Sequence, residues 1–283
     1  MIYPEIDPVM LAVGPLELRW YGMMYLIGFV GGWWLGRIRA AASNSAWTKE
    51  MVDDLLFYIA LGVVLGGRLG YTFFYNFPSF IDNPLILFKI WEGGMAFHGG
   101  FLGVLVAMYL FGRKYQKTFW TTTDFIAPYV TIGLGAGRIG NFINGELWGA
   151  PTDVPWAMQV PCTSKFYDLC TNKLQLPEGT LMTPPLHPNQ LYEAFLEGLV
   201  LFLILWFYGA KPRPRMAVSA VFLISYGVFR FGVEFVRMPD SHLGYLAFDW
   251  LTMGQLLTAP MILIGIGLLW WAYHRDAKAA AAS

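Results

Sequence analysis

Charge is scarce in this sequence. Asp, Glu, Lys and Arg make up 13% of its 283 residues, where a soluble domain carries about 25%. That deficit speaks against an ordinary water-soluble domain. Neither sign predominates: 19 basic residues face 19 acidic ones, so no basic excess marks a nucleic-acid partner. Cysteine is nearly absent, and Cys162 and Cys170 form neither a CxxC redox pair nor a metal-ligand pattern. The HExxH of zinc hydrolases, the GxSxG elbow and the SxxK serine motif are missing, which disfavours an intramembrane protease or metal hydrolase. No GK[ST] follows the glycines, so no nucleotide phosphate loop is expected. The N-terminal stretch lacks a basic region and is interrupted by Pro8 and Pro15. It makes a poor signal peptide, and the first apolar helix is expected to direct insertion.

What is abundant is apolar: 56% of residues are hydrophobic and 17% aromatic. Stretches of about 20 residues, the length a bilayer core requires, fall near Trp20–Ile38, Val52–Tyr75, Met95–Gly112, Thr121–Ile143, Gln190–Tyr208, Ala217–Val236 and Leu251–Tyr273. The expected fold class is all-α: one polytopic membrane domain over residues 1–283 with seven transmembrane helices. Eleven basic residues flank the segments on one side (Arg37, Arg39, Lys49, Arg113, Lys114, Lys117, Lys211, Arg213, Arg215, Arg275, Lys278) and five on the other. The positive-inside rule then puts the N-terminus outside and the C-terminus in the cytoplasm. Gly62, Gly66 and Gly70 repeat every four residues, as do Gly28, Gly32 and Gly36, a spacing that lets helices approach closely. Trp33, Trp34, Trp91, Trp120, Trp206, Trp250, Trp270 and Trp271 sit mostly near segment ends, as in an interfacial belt. The outer loop, residues 150–188, contains both cysteines. An oxidising exterior permits a disulfide there, and two free thiols fit the spacing equally well.

The unusual stretch is Gly137–Gly149, GRIGNFINGELWG. It ends an apolar segment yet carries Arg138, Asn141, Asn144 and Glu146. At helical spacing the first three share one face. Polar groups at this depth are costly and mark a functional site, or at least hydrogen-bonded glue between helices. On the expected topology, Tyr21, Arg68, His98, the Arg138–Glu146 stretch, His187, Gln190, Glu193, Arg230, Glu234 and Arg237 all fall toward the outer face. Scattered structural polar residues have no reason to align in this way. Arginine forks match phosphate geometry, and the anion at that depth is a phospholipid headgroup. Arg230 and Glu234, four apart, are placed to pair, with Arg237 extending the pair. Glu146 is the expected partner of Arg138, and Arg68 has none nearby in sequence. His98 suits a general base or a helix-end hydrogen bond. His187, before a proline, is expected to shape the loop or cap the following helix.

These residues resemble a known family. Gly137–Gly149 is similar to the signature of the bacterial prolipoprotein diacylglyceryl transferases. RWYG (Arg19–Gly22), GGRLGY (Gly66–Tyr71), EGGMAFHGG (Glu92–Gly100), HPNQLYE (His187–Glu193) and YGVFRFGVEFVR (Tyr226–Arg237) follow the family's pattern in order. The outer loop around Cys162 and Cys170 matches no general pattern. The resemblance implies a multi-pass enzyme of the bacterial inner membrane with a periplasmic N-terminus and no metal or organic cofactor. Its expected substrates are phosphatidylglycerol and the lipobox cysteine of preprolipoprotein signal peptides; membrane lipids surround it. The expected reaction joins the diacylglyceryl group to sulfur and releases glycerol phosphate. His98, Arg138, Arg230 and Glu234 are then the catalytic candidates. Tyr21, Arg68, Asn141, Asn144, Glu146, His187, Glu193, Tyr226 and Arg237 are the substrate-binding candidates. Tyr226 or an arginine-bound water is the alternative to His98 as thiol activator. A lipid or anion transporter and a non-catalytic lipoprotein receptor are the competing classes. A transporter usually places its site at the midplane between repeats, and this sequence shows no internal repeat.

Overall fold

The computed structural model describes residues 1–283 apart from 15, 43–44, 90–92, 239–243, 245, 249 and 283. Trp91 and Glu92 thus lie outside the described residues. A short hairpin comes first, β1 (Val9–Val13) antiparallel to β2 (Leu16–Arg19). The rest is mostly helical: α1 (Trp20–Ala40), α2 (Lys49–Tyr75), α3 (Phe77–Asp82), α4 (Phe97–Tyr115), α5 (Phe119–Asn144), α6 (Asn189–Glu193), α7 (Leu201–Tyr208), α8 (Ala217–Val233) and α9 (Met253–Ala282). A π-helical stretch, Ala194–Val200, joins α6 to α7. The hairpin departs from the purely helical expectation. Gly14, at φ +60°, supplies its left-handed turn residue.

Among the described residues, four helical stretches are long and apolar enough to cross a bilayer: Lys49–Tyr75, Asn189–Tyr208, Ala217–Val236 and Met253–Lys278. Only 17–33% of their apolar windows are buried within the protein, and Phe57, Leu257, Leu263 and Trp270 point outward. Such surfaces are stable against lipid and unstable in water. The chain is a membrane protein. Helices α1, α4 and α5 lie over the other expected segments but are not among these four.

The chain divides into two compact units, one of residues Met1–Gly32 with Ala127–Ser283, the other of Trp33–Ile126. In the second unit, α2 and α4 meet through glycine. A Cβ on Gly66 would stand 2.3 Å from the Gly99 carbonyl oxygen, and one on Gly62 would stand 2.6 Å from that of Gly103. The four-residue glycine period is therefore a packing seam. Arg68 of α2 is buried, and its five N–H groups all reach carbonyls. Nε donates to Leu87 (3.2 Å), Nη1 to Gly93 and Gly94, and Nη2 to Ile86 and Lys89 (2.9 Å). The side chain ties down the segment after α3 through these carbonyls.

The first unit contains the loop of residues 150–188 and its own core of Tyr3, Trp148, Val160, Phe166, Leu169 and Leu186. Cys162 and Cys170 are joined by a disulfide, with Cα atoms 5.9 Å apart. Tyr3 anchors this core to α5. Its ring meets Phe142, Trp148 and Phe166 edge-on, and its hydroxyl lies 2.7 and 2.9 Å from the carbonyl oxygens of Phe142 and Ile143. Helix C-termini leave such carbonyls unpaired. Burial, with Glu5 nearby, pushes the Tyr3 hydroxyl up to about 12, so it stays a donor at any physiological pH. Tyr3→Phe keeps the ring but orphans both acceptors. A loss of about 1–3 kcal/mol is expected, read as a lower unfolding temperature in detergent.

Candidate functional site

Three chain segments converge in the first unit: the turn after α5, the start of α6 and the end of α8. Backbone pairing holds them side by side. The Gly149 amide donates to the His187 carbonyl (2.9 Å), the His187 amide to Ala150 (3.1 Å) and the Ala150 amide to Val236 (2.8 Å). Gly149 is the tight point, since a Cβ there would lie 2.5 Å from the Val236 oxygen and 2.7 Å from His187 Cβ. Gly149→Ala is expected to force the segments apart and abolish activity, with the disruption visible as faster proteolysis of the outer loop.

The helices bring their ionisable side chains to one buried cluster. Arg138 of α5 meets Glu193 of α6 (Nε to Oε2, 2.8 Å) and Glu197 of the π stretch (Nη2 to Oε2, 3.5 Å). Arg230 of α8 pairs with Glu234 and approaches Glu193 at 3.6 Å. Arg237 reaches Glu193 at 3.8 Å. Glu193 is fully buried, is shared by all three arginines, and accepts from Asn189 Nδ2 at 3.1 Å. Glu234 accepts from the Thr252 hydroxyl at 2.9 Å. A Cβ on Gly254 would fall 2.6 Å from its carboxylate. The three guanidinium groups thus face three carboxylates, a near-neutral network that satisfies the rule that buried charges are paired.

Two other elements shape the cluster. The backbones of α5 and the π stretch nearly touch, with a Cβ on Gly198 only 2.7 Å from Gly135 Cα. That approach lets Arg138, one turn beyond Gly135, reach Glu193 and Glu197. The bend after α5 uses left-handed residues at Gly145 (φ +75°) and Leu147 (φ +61°). A Cβ at Gly145 would collide with the Phe166 ring at 2.3 Å. Leu147 holds its conformation at a cost of about 1 kcal/mol, the kind of strain seen where structure serves a site.

The bend returns the exposed Glu146 carboxylate to α5, where it accepts from Asn141 (3.1 Å) and Asn144 (3.3 Å). The shared face expected of Arg138, Asn141 and Asn144 is present, but Glu146 pairs with the asparagines and not with Arg138. Long-range carboxylates displace the local one. The Gln190 side-chain amide donates to the Glu146 carbonyl. Tyr21 packs its ring where a Cβ on Gly140 would stand at 2.9 Å, and its hydroxyl lies 3.4 Å from that of Tyr25. Tyr226 stacks on Phe222 within electrostatic reach of Arg138, Arg230, Glu193 and Glu197.

His187 serves the loop. Its Nδ1 is 3.0 Å from the Tyr192 hydroxyl, which accepts from Trp156 Nε1 at 2.6 Å. The hydroxyl proton is thus free to be donated to a neutral imidazole nitrogen. Burial lowers the His187 pKa below its ordinary value of 6.5. The neutral form is the folded one, so its contribution to stability is complete above pH 6.5 and is lost as pH falls through the lowered folded value. The unfolding temperature is expected to drop between pH 7 and 5, and to drop less in His187→Gln.

His98 belongs to the other unit. It is the second residue of α4, its ring is exposed and edge-on to Phe97, and it has no hydrogen-bond partner among the described residues. Sequence reasoning missed Glu197 and Thr252. Glu197 carried a usable signal, an ionisable group within an apolar run. Thr252 carried none.

The family model of the prolipoprotein diacylglyceryl transferases matches residues 8–271 of this chain. Its relatives include proteins named phosphatidylglycerol–prolipoprotein diacylglyceryl transferase. That of Pseudomonas fluorescens SBW25 is 58% identical over 273 residues, covering 96% of each chain. That of Ectopseudomonas mendocina ymp is 56% identical over 280 residues, covering 99% of each. That of Azotobacter vinelandii DJ is 55% identical over 278 residues, covering 98% of each.

Proposed function

We propose that this chain, which belongs to the prolipoprotein diacylglyceryl transferase family, moves the diacylglyceryl group of phosphatidylglycerol onto the lipobox cysteine of a preprolipoprotein. It does so as a multi-pass protein of the bacterial inner membrane with seven spans, a periplasmic N-terminus and a cytoplasmic C-terminus. The observation that carries the reading is the buried arginine–carboxylate cluster on three converging segments, in a chain 58% identical to a protein of that name.

The chemistry is a displacement at the glyceryl carbon that bears the phosphate. The cysteine sulfur forms a bond to that carbon, the carbon–oxygen bond to phosphorus breaks, and glycerol phosphate leaves with the bonding pair. Two barriers follow. The thiol, with an ordinary pKa near 8.5, must lose its proton. The departing phosphate must have its growing charge stabilised. Arg138 and Arg230 supply that stabilisation from a site sheltered from water, where preorganised donors act most strongly. Glu234 and Glu193 hold the two guanidinium groups in place. Asn141 and Glu146 position the headgroup, with Tyr21, Asn144, Arg237 and Tyr226 around it. His98 is the proposed acceptor of the thiol proton. An arginine-bound water or Tyr226 is the alternative acceptor.

The test uses purified protein in detergent with phosphatidylglycerol and a lipobox peptide. Wild type forms the thioether peptide, and folded His98→Gln forms none. Retained activity in His98→Gln moves the base elsewhere. A wild type that binds the lipid without forming product, where a known transferase works, sinks the enzyme reading.

A further inference from the structure

The carboxylates around Arg138 are not equivalent. Glu193 forms a close ion pair with Nε (Oε2, 2.8 Å) that makes no hydrogen bond, and Asn189 fixes its other oxygen, Oε1. Glu197 accepts a hydrogen bond from Nη2 at the long distance of 3.5 Å. Glu197 is fully buried, and its second oxygen, Oε1, has no hydrogen-bond donor among the described residues. Arg138 Nη1 also has no partner among the described residues, and this arginine is the most exposed of the three, at 20% of its side chain. A guanidinium grips a phosphate best through a fork of two parallel N–H bonds. The end-on fork of Arg138 thus has one nitrogen without a partner among the described residues, Nη1, and one held at long distance, Nη2, while Nε stays ion-paired with Glu193.

We infer that Glu197 is a displaceable counter-ion. It neutralises Arg138 when the site is empty and yields Nη2 to a phosphate oxygen when the headgroup arrives. Glu193 stays in place throughout as the anchor. The π-helical turn supports the division. Such turns recur as local insertions at functional sites, and this one carries Glu197 just beyond Glu193, facing the same arginine. The charged and titratable groups around Glu197 are Arg138 from α5, Glu193 from its own helix, and Arg230 and Tyr226 from α8. Glu197 is thus a positioning residue that acts through Arg138 and competes with the ligand for it.

The inference rests on the transferase reading for the identity of the phosphate but not for its binding, so a binding experiment separates the two. Glycerol phosphate is titrated calorimetrically into wild type, Glu197→Gln and Glu193→Gln in detergent. The KM for phosphatidylglycerol and competitive inhibition by glycerol phosphate are measured on the same samples. Removing the competing charge at 197 is expected to tighten glycerol phosphate roughly fivefold to tenfold, the scale of one charge contact across a part-buried gap. KM falls in parallel and kcat does not rise. Glu193→Gln does the opposite and weakens binding. A purely structural Glu197 would give no gain in affinity, so unchanged or weaker glycerol phosphate binding in folded Glu197→Gln overturns the inference. Should that variant fail to fold, Glu197→Asp, shorter by one methylene, is expected to tighten binding in the same direction. Weaker or equal binding there, or failure of both variants to fold, overturns it. If wild type forms no thioether, the transferase reading fails, and the calorimetric order of the three proteins still decides the counter-ion claim.

Discussion

Arg138→Ala loses diacylglyceryl transfer by at least about a hundredfold, the scale of removing one preorganised donor from a developing oxyanion. The loss is expected mainly in kcat, because the charge that Arg138 meets grows as the phosphate leaves. Arg138→Lys recovers little. An ammonium is a point charge and cannot hold Glu193 through one nitrogen while offering a fork with two others. The unfolding temperature in detergent separates chemistry from folding. Arg138 is part-exposed, so the fold should survive its removal better than the activity does. An Arg138→Ala protein that turns over near the wild-type rate would remove this residue from the mechanism.

Glu193→Ala carries the largest expected cost in stability. The carboxylate is fully buried and lies within 4 Å of Arg138, Arg230 and Arg237. Deleting it leaves three guanidinium groups to face one another with only Glu197 and Glu234 between them. Breaking a buried pair from one side costs about 3–5 kcal/mol because the partner's charge is left uncompensated. The expected result is a sharp fall in unfolding temperature and no measurable transfer. Glu193→Gln keeps the shape and one acceptor, so it is expected to be milder on both counts. Equal stability of Glu193→Ala and wild type would show that the arginines find other partners.

Local spacing made part of the site legible in the sequence. Arg230 and Glu234 are one helical turn apart and do pair. Arg138, Asn141 and Asn144 share a face because helical geometry requires it. The glycine period of α2 was readable as a packing seam, since only backbone-to-backbone contact explains it. Partners chosen by tertiary structure were not legible. Glu193 lies far along the chain from Arg138, and the nearer Glu146 was the natural expectation. The bonds of Arg68 were not legible for a related reason. Its partners are main-chain carbonyls, which every residue has, so nothing in the sequence distinguishes an arginine tying down a loop from one binding an anion. Tyr3 reaches the end of α5 from 139 residues away, beyond any motif. The π-helical turn is likewise invisible in an apolar run, yet it sets how Glu197 meets Arg138.

The central claim is that the arginine cluster stabilises the phosphate that leaves as sulfur bonds to carbon. The direct measurement counts both products together. Purified wild type and Arg138→Ala are given phosphatidylglycerol and a lipobox peptide, and thioether peptide and glycerol phosphate are quantified over time. The account predicts equal amounts of the two from wild type and neither from folded Arg138→Ala. Thioether formed without matching glycerol phosphate, or both formed by Arg138→Ala at the wild-type rate, would contradict it.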